Sequence, residues 1–423
     1  MTANRKPRSL PNEQKLRLWG VGWALALAFA GAVLAAGGTL YGLVVLLDFQ
    51  KIDTSAKLDA KTLFDLVKLS FGVVAGAGAL VALVVAYRRQ RVDEAGAHRE
   101  ATRLHTERFS QAVDKLGLDS PAVRLGGVHA LAGLADDAPD DSLRQTCIDV
   151  LCAYLQLPFT PDPGTDPAHQ EEHHRYLAFR KVRHTILRLI GDHYRRPKGT
   201  HRSWQGCDLD LTGVTIDGDM DFAGATFSGG TTSFAGATFS GGDVSFAGAT
   251  FSGGTTSFAG ATFSGGEVSF DNATFSGSTV YFGATFSGGT VYFAGATFSG
   301  GTVYFDVAMF SRGNVSFADA TFSGGDVYFR SAMFSGGDVY FRSAMFSGGD
   351  VSFADATFSG GDVSFNNATF SDGDVSFADA TFSAGTVSFD DATGSAPQGL
   401  PAAVGTHPPS GITLPSAWLL SAP

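Results

Sequence analysis

Cysteine occurs only three times in the 423 residues, and Cys147, Cys152 and Cys207 form no C-x-x-C pair. That scarcity excludes a disulfide framework and a cysteine zinc knuckle, and it suits reduced, buried side chains in a cytoplasmic chain. No Gly-rich loop opens a helix in the manner of a phosphate loop, which leaves nucleotide chemistry without a motif. Positive charge almost disappears between Ser203 and Thr393, where 20 Asp and Glu face three Arg (Arg312, Arg330 and Arg342), a net of −17. Residues 1–202 hold 27 Lys and Arg against 21 Asp and Glu, a net of +6, so the chain is acidic in one half and basic in the other. The acidic half is unsuited to direct nucleic-acid binding, which needs cations on the phosphates.

Charge of either sign is missing from two long runs. Leu18 to Leu47 gives 30 uncharged residues and Leu69 to Tyr87 gives 19, against the ~20 needed to cross a hydrocarbon core. Two transmembrane helices are expected over residues 18–87, with the lipid bilayer as their partner. The first run is at least twice the length of a signal-peptide core and no crisp cleavage site comes after it. Basic flanks (Arg5, Lys6, Arg8, Lys15 and Arg17 before, Arg88, Arg89 and Arg91 after) place the N-terminal residues 1–17 and everything after Tyr87 on the cytoplasmic side of a plasma membrane. Asp48 to Lys68 is then a short external link. Gly38/Gly42 and Gly72/Gly76 have the spacing that lets helix backbones approach, within the hairpin or between protomers of a homo-oligomer. Neither span holds a charged residue, which argues against transport and proton relay.

Residues 88–202 read as a helical juxtamembrane domain resembling a HEAT-like helix pair. Val92–Leu116 continues the second membrane helix. Ala122–Leu134 places positions 125, 128, 131, 132 and 134 on one apolar face. Asp141–Leu157 ends at Pro158, and a basic helix runs from Ala168 to Tyr194. This domain is expected to cap the N-terminal end of the acidic segment that begins at Ser203. Within it, His169, Glu172 and His173 match the H-x-x-E-H pattern of inverted zincins, in which i,i+4 histidines bind zinc and the Glu activates water. Arg175, Arg180, Lys181 and Arg183 share that helix and no third ligand is evident, so a solvated helix is the preferred reading and zinc hydrolysis a remote one.

From Phe222 to Phe389 phenylalanine recurs at alternating steps of five and seven, and this stretch carries 29 of the chain's 36 Phe. The unit V-x-F-x-x-A-x-F-S-G-G-x, clear in Val244–Thr255 and Val351–Asp362, alternates by two around each Phe as a strand does, with Ser-Gly-Gly turn chemistry between. A Gly/Ser linker would lack the aromatics. One link is a residue short, Gly283-Ala284-Thr285; Ala284 keeps its inward position, so a corner should tighten there. At Gly394 the next Phe fails to appear.

Leu209–Gly213 and Val214–Gly218 lie closest to the five-residue modules of the pentapeptide-repeat family, which the chain resembles from Leu209 to Ala392. The resemblance implies a right-handed quadrilateral β-helix of four modules per coil, a mainly β solenoid over 203–393. With two enlarged corners each coil should take about 24 residues. The tail, 394–423, is rich in Pro, Ser, Gly and Ala and reads as disordered, or as a flap over the open last coil.

That register makes concrete assignments. Phe305, Phe329 and Phe353 should stack at ~4.8 Å. Tyr281, Tyr304 and Tyr328 should form an exposed ladder, with Tyr292 and Tyr340 opposite it and Ser316 between them. Asp326, Asp350 and Asp374 should line one corner, and Asp338 and Asp362 the opposite one. The three ladder Tyr and these five Asp are the candidate interaction surface of a non-enzymatic, membrane-anchored bacterial scaffold that binds another protein and needs no cofactor. Gyrase-targeting members of the family, acidic rods that mimic DNA, supply a second reading. The 12-residue period, the anchor and the lack of a helical C-terminal dimerisation segment depart from them.

Overall fold

The structure, a computed structural model, describes residues 60–383, 385–400 and 411–419, with a few positions between 27 and 41. It forms two compact units, up to Ala101 and from Thr102 onward. Helix α1 spans Ala60–Gly117. The second uncharged run and Val92–Leu116 therefore lie in one helix. Its start at Ala60 corrects the expected link, because residues 60–68 are helical rather than loop. The run 18–47 lies mostly outside the described residues, as do several side chains of 69–87. Among the described residues no helix is long and apolar enough to cross a membrane. A Cβ built on Gly38, Gly72 or Gly76 would meet nothing within 4 Å, while Gly42 lies outside the described residues.

Helices α2 (Pro121–Asp136), α3 (Asp141–Gln156) and α4 (Gln170–Tyr194) come next, the last preceded by a 3-10 turn at Pro167–His169. The apolar face read from 122–134 is the packed one: Val128, Leu131, Ala132 and Leu134 are buried, with Leu125 half-buried beside them. Asp140 caps α3 by accepting from the Leu143 N–H at 2.9 Å, and Pro158 stands just beyond the helix end.

The rod is a right-handed-type β-solenoid of about eight coils with four parallel sheets, one per face. The faces are numbered in chain order from the strand at Leu209. The 24-residue register holds along most of it, as in Val327↔Val351 and Phe334↔Phe358. Phe305 stacks on Phe329 at 4.6 Å and Phe329 on Phe353 at 4.8 Å. Every Phe from 222 to 389 is buried except Phe382, which is half-buried. Rings from the first and third faces meet across the lumen edge to face, as Phe317 and Phe329 do at 5.4 Å and 88°. Parallel stacking along the axis and T-shaped contact across it are both favourable aromatic geometries.

The short corners are β-turns in which Ala donates to the carbonyl of the Phe three residues earlier, Ala249 to Phe246 at 2.9 Å for one. Their third residue needs positive φ, which explains Gly, Asn and Asp there. At the deletion the link tightens to a γ-type contact, Ala284 N–H to Phe282 at 2.6 Å, and one coil takes 23 residues, Val268↔Val291. Ala284 and Phe286 stay buried, so the inward face survives as expected. The first coil is also short: Thr215 pairs with Thr238, whereas Met220 pairs with Val244. The missing residue lies in Asp217-Gly218-Asp219, and the six-residue step from Ile216 to Phe222 was its signal.

Both ends are closed. At the N-terminal end the helices seat on the first coil, with Tyr194 and Trp204 fully buried and Tyr194 5.2 Å from Phe227. Gly191 permits this approach, since a Cβ there would stand 2.8 Å from the Asp221 carbonyl. Arg180 and His184 reach the Asp217 carbonyl at 2.9 and 2.7 Å. At the other end the described part of the tail, residues 394–400 and 411–419, folds back as the flap rather than lying disordered. Ile412–Thr413 adds a strand beside Val387–Ser388, and Trp418, in the short helix α5 (Ser416–Leu419), sits 5.6 Å from both Phe370 and Phe389. Its indole N–H donates to the Gly394 carbonyl at 2.8 Å. The lone Trp in a tail of small residues covers ring faces that would otherwise meet water.

Candidate interaction surfaces

Tyr281, Tyr304 and Tyr328 stand in register on the first face, with ring centroids 5.1 and 5.5 Å apart. Tyr292, Ser316 and Tyr340 align on the third. The ladder continues around the corner between the first and second faces. Val307 in that corner is 66% exposed, and Met309 and Met333, paired on the second face, are 40% and 42% exposed. Apart from Met345 on the fourth face, repeat units elsewhere carry Thr at the Met positions, and they carry Gly, Asn, Asp or Ser at the Val position. Val307 adopts φ +55°, a left-handed conformation that a β-branched residue rarely holds. These three residues were missed in the sequence, although each breaks the repeat.

The patch has charged edges. Arg330 lies 4.6 Å over the Tyr328 ring and pairs with Asp306. Burial pushes the Tyr328 phenol above its ordinary range, with Asp326 and Asp350 adding to it. On the third face Arg342 covers Tyr340 at 4.5 Å, and the Tyr340 hydroxyl donates to Asp338 at 2.7 Å.

The acidic corners fall where the register puts them, and the structure adds a reason for them. The Asp326 carboxylate accepts the Asp350 backbone N–H at 3.2 Å, and Asp374 accepts the Gln398 side-chain amide at 2.9 Å. On the opposite corner Asn314 accepts from the Asp338 N–H, Asp338 from Asp362 and Asp362 from Thr386, at 2.9, 2.9 and 2.7 Å. Asp326, Asp338, Asp362 and Asp374 thus each serve a donor of the next coil at a wide turn. The Thr386 N–H, and then its hydroxyl, hold the Asp362 carboxyl below its ordinary range.

The zincin pattern does not assemble. His169 ends the 3-10 turn with φ −114° and ψ 17°, outside helical geometry, so it shares no helical face with His173. The His173 ring instead meets the Asp162 carboxylate at 2.6 Å, and Glu172 is exposed. Among the described residues no group of three or more His, Cys, Asp or Glu is placed to hold a metal ion. Cys147 and Cys152 are buried, and burial pushes their thiols up to about 11 and about 12, values at which no thiolate forms near neutrality. Cys207 is half-buried and also raised by burial.

A cleft of about 590 Å³ opens in the helical domain between the loop after α3 and helix α4, with Arg124 and Arg183 in its wall. No curated protein and no solved structure matches the chain. Residues 211–256 and 241–283 match the family model described as pentapeptide repeats (9 copies), and the match ends at the one-residue deletion. With Phe-centred modules on four parallel faces, the chain is a pentapeptide-repeat protein.

Proposed function

We propose that this protein is a non-enzymatic, membrane-anchored scaffold whose solenoid binds a protein partner on the cytoplasmic side. The carrying observation is the patch formed by Tyr281, Tyr304, Tyr328, Val307, Met309 and Met333. A water-exposed Val in the left-handed region costs ~1–3 kcal/mol, and here it adds only exposed apolar surface beside three stacked rings. Stability does not account for that choice, whereas contact with a partner does. Asp306, Asp326 and Asp350 flank the patch, which suits a partner surface of apolar side chains edged by Lys or Arg. The two uncharged runs and their basic flanks support the anchor and its orientation.

The test is capture by the full chain in detergent. Replacing the three Tyr with Ser and Met309 and Met333 with Thr, the residues of the other repeats, should abolish recovery of the partner. Tyr292→Ser with Tyr340→Ser should leave it intact. Equal recovery with both variants would sink the reading. DNA mimicry is weaker, because carboxylates that serve the next coil's backbone need no second explanation. Inhibition of gyrase supercoiling by the chain, lost when the five corner Asp become Asn, would revive it. Zinc hydrolysis through His169, Glu172 and His173 has no such support.

A further inference from the structure

The cleft in the helical domain contains a charge that the protein itself does not balance. Arg183 is 7% exposed, yet no carboxylate lies within ion-pair reach of it among the described residues. Its guanidinium donates once, to the Thr215 carbonyl at 2.7 Å, and lies 4.7 Å from the Phe159 ring centre. Burial lowers its pKa, but a guanidinium starts so high that it stays charged at neutral pH. A buried cation without a counter-ion is costly. Arg124 also lines the cleft; it is held against Phe179 at 4.6 Å and donates to the Leu118 carbonyl and to the Tyr154 hydroxyl, the latter at 3.1 Å, while its nearest carboxylate, Asp119, stands 3.9 Å away and fully in solvent.

Two fixed guanidiniums therefore share a cleft with Phe159, Phe179, Leu157 and Pro158. Its volume falls within the ~300–1,000 Å³ typical of small-molecule sites. We infer that this cleft binds a small organic oxyanion, a carboxylate or phosphate monoester on a flat apolar ring. The oxyanion takes the guanidinium N–H groups that Arg183 and Arg124 leave over, and the ring lies against the two Phe. Arginine suits this role because its planar fork matches both carboxylate and phosphate. The surface is separate from the solenoid patch and does not depend on it.

Titration of the full chain with benzoate, phenyl phosphate and inorganic phosphate, monitored by calorimetry and melting temperature, tests the site. Saturable binding of an aryl oxyanion with a raised melting temperature is expected, and which of the two binds tighter identifies the head group. Arg124→Gln should weaken it by about tenfold or more, as loss of a charge-assisted hydrogen bond does. Arg183→Gln should abolish it, but that side chain also ties α4 to the rod, so Arg124→Gln is the decisive variant if Arg183→Gln unfolds. Arg175→Gln, at the solvent edge, should change affinity little. Absence of binding by both aryl anions, affinity unchanged in Arg124→Gln, or inorganic phosphate binding as tightly as phenyl phosphate would each overturn the inference.

Discussion

Val307 holds a left-handed φ of +55° at a corner where the following coils use Ser331, Asp355 and Asp379, and the opposite corner uses Asn367. Asn tolerates that region through its short polar side chain, and Val does not. Val307→Asn should therefore raise the unfolding free energy by ~1 kcal/mol in urea melts; a loss of stability would mean that the Val side chain packs where it is described as exposed. The corner carboxylates give an opposite pair of expectations. Asp326→Asn keeps an acceptor oxygen for the Asp350 N–H, as Asn314 does for the Asp338 N–H on the opposite corner. Asp326→Ala leaves the Asp350 N–H without that acceptor, and it should cost ~1 kcal/mol more than Asp326→Asn. Acid acts on Asp362 in the same sense. Its folded pKa is depressed by the Thr386 N–H, so the stability it adds is complete above the unfolded carboxylate value of ~3.9 and is lost as pH falls through the folded value. Melting temperature should drop below about pH 4, and Asp362→Asn should flatten the part of the drop that Asp362 contributes.

Within each coil the energetics are set by Phe columns. Phe341 stacks on Phe317 and Phe365 at 4.8 and 4.7 Å, so Phe341→Ala leaves a cavity between two coils and should cost ~3–5 kcal/mol. The repeat pattern alone gives Phe389 a neighbour on one side only, but it lies between Phe365 at 4.7 Å and Trp418 at 5.6 Å. Its truncation is accordingly expected to approach the cost at Phe341 in the full chain and to fall well below it once Trp418 is replaced by Ala. The columns were legible because Phe at five and seven is a local pattern that the coil merely wraps. The Tyr ladder came from the same alternation. The flap was not decided by pattern, since Gly399, Leu400 and Trp418 pack by long-range contact and carry no period of their own. Val307 and the two Met were visible as departures from the repeat, but only the corner geometry shows that they join the Tyr face. The zincin pattern failed for a related reason: spacing of four places two His together only inside a helix, and His169 lies just before one.

At the scale of the whole rod, stability should propagate from coil to neighbour, because the described strands pair only with the coil above and below. Such a rod frays from its ends unless they are capped. The first coil is covered by α3 and α4 with Tyr194 and Trp204 in its mouth, and the last by Ile412, Thr413 and Trp418. The caps differ in strength. At the N-terminal end α4 and the residue after it contribute Arg180, Arg183, His184 and Arg195, each bonded to a backbone carbonyl of the first coil, whereas the tail adds the Gln398 bridge to Val375–Phe377, the buried Leu400, one two-residue strand and one indole. Removal of residues 395–423 should thus raise amide exchange over Val375–Phe389 and leave Leu209–Phe275 protected. The rod's middle coils should keep their melting transition, since each retains both neighbours. A uniform rise in exchange along all coils would show instead that the solenoid unfolds as a single unit, and the nearest-neighbour account would have to be abandoned.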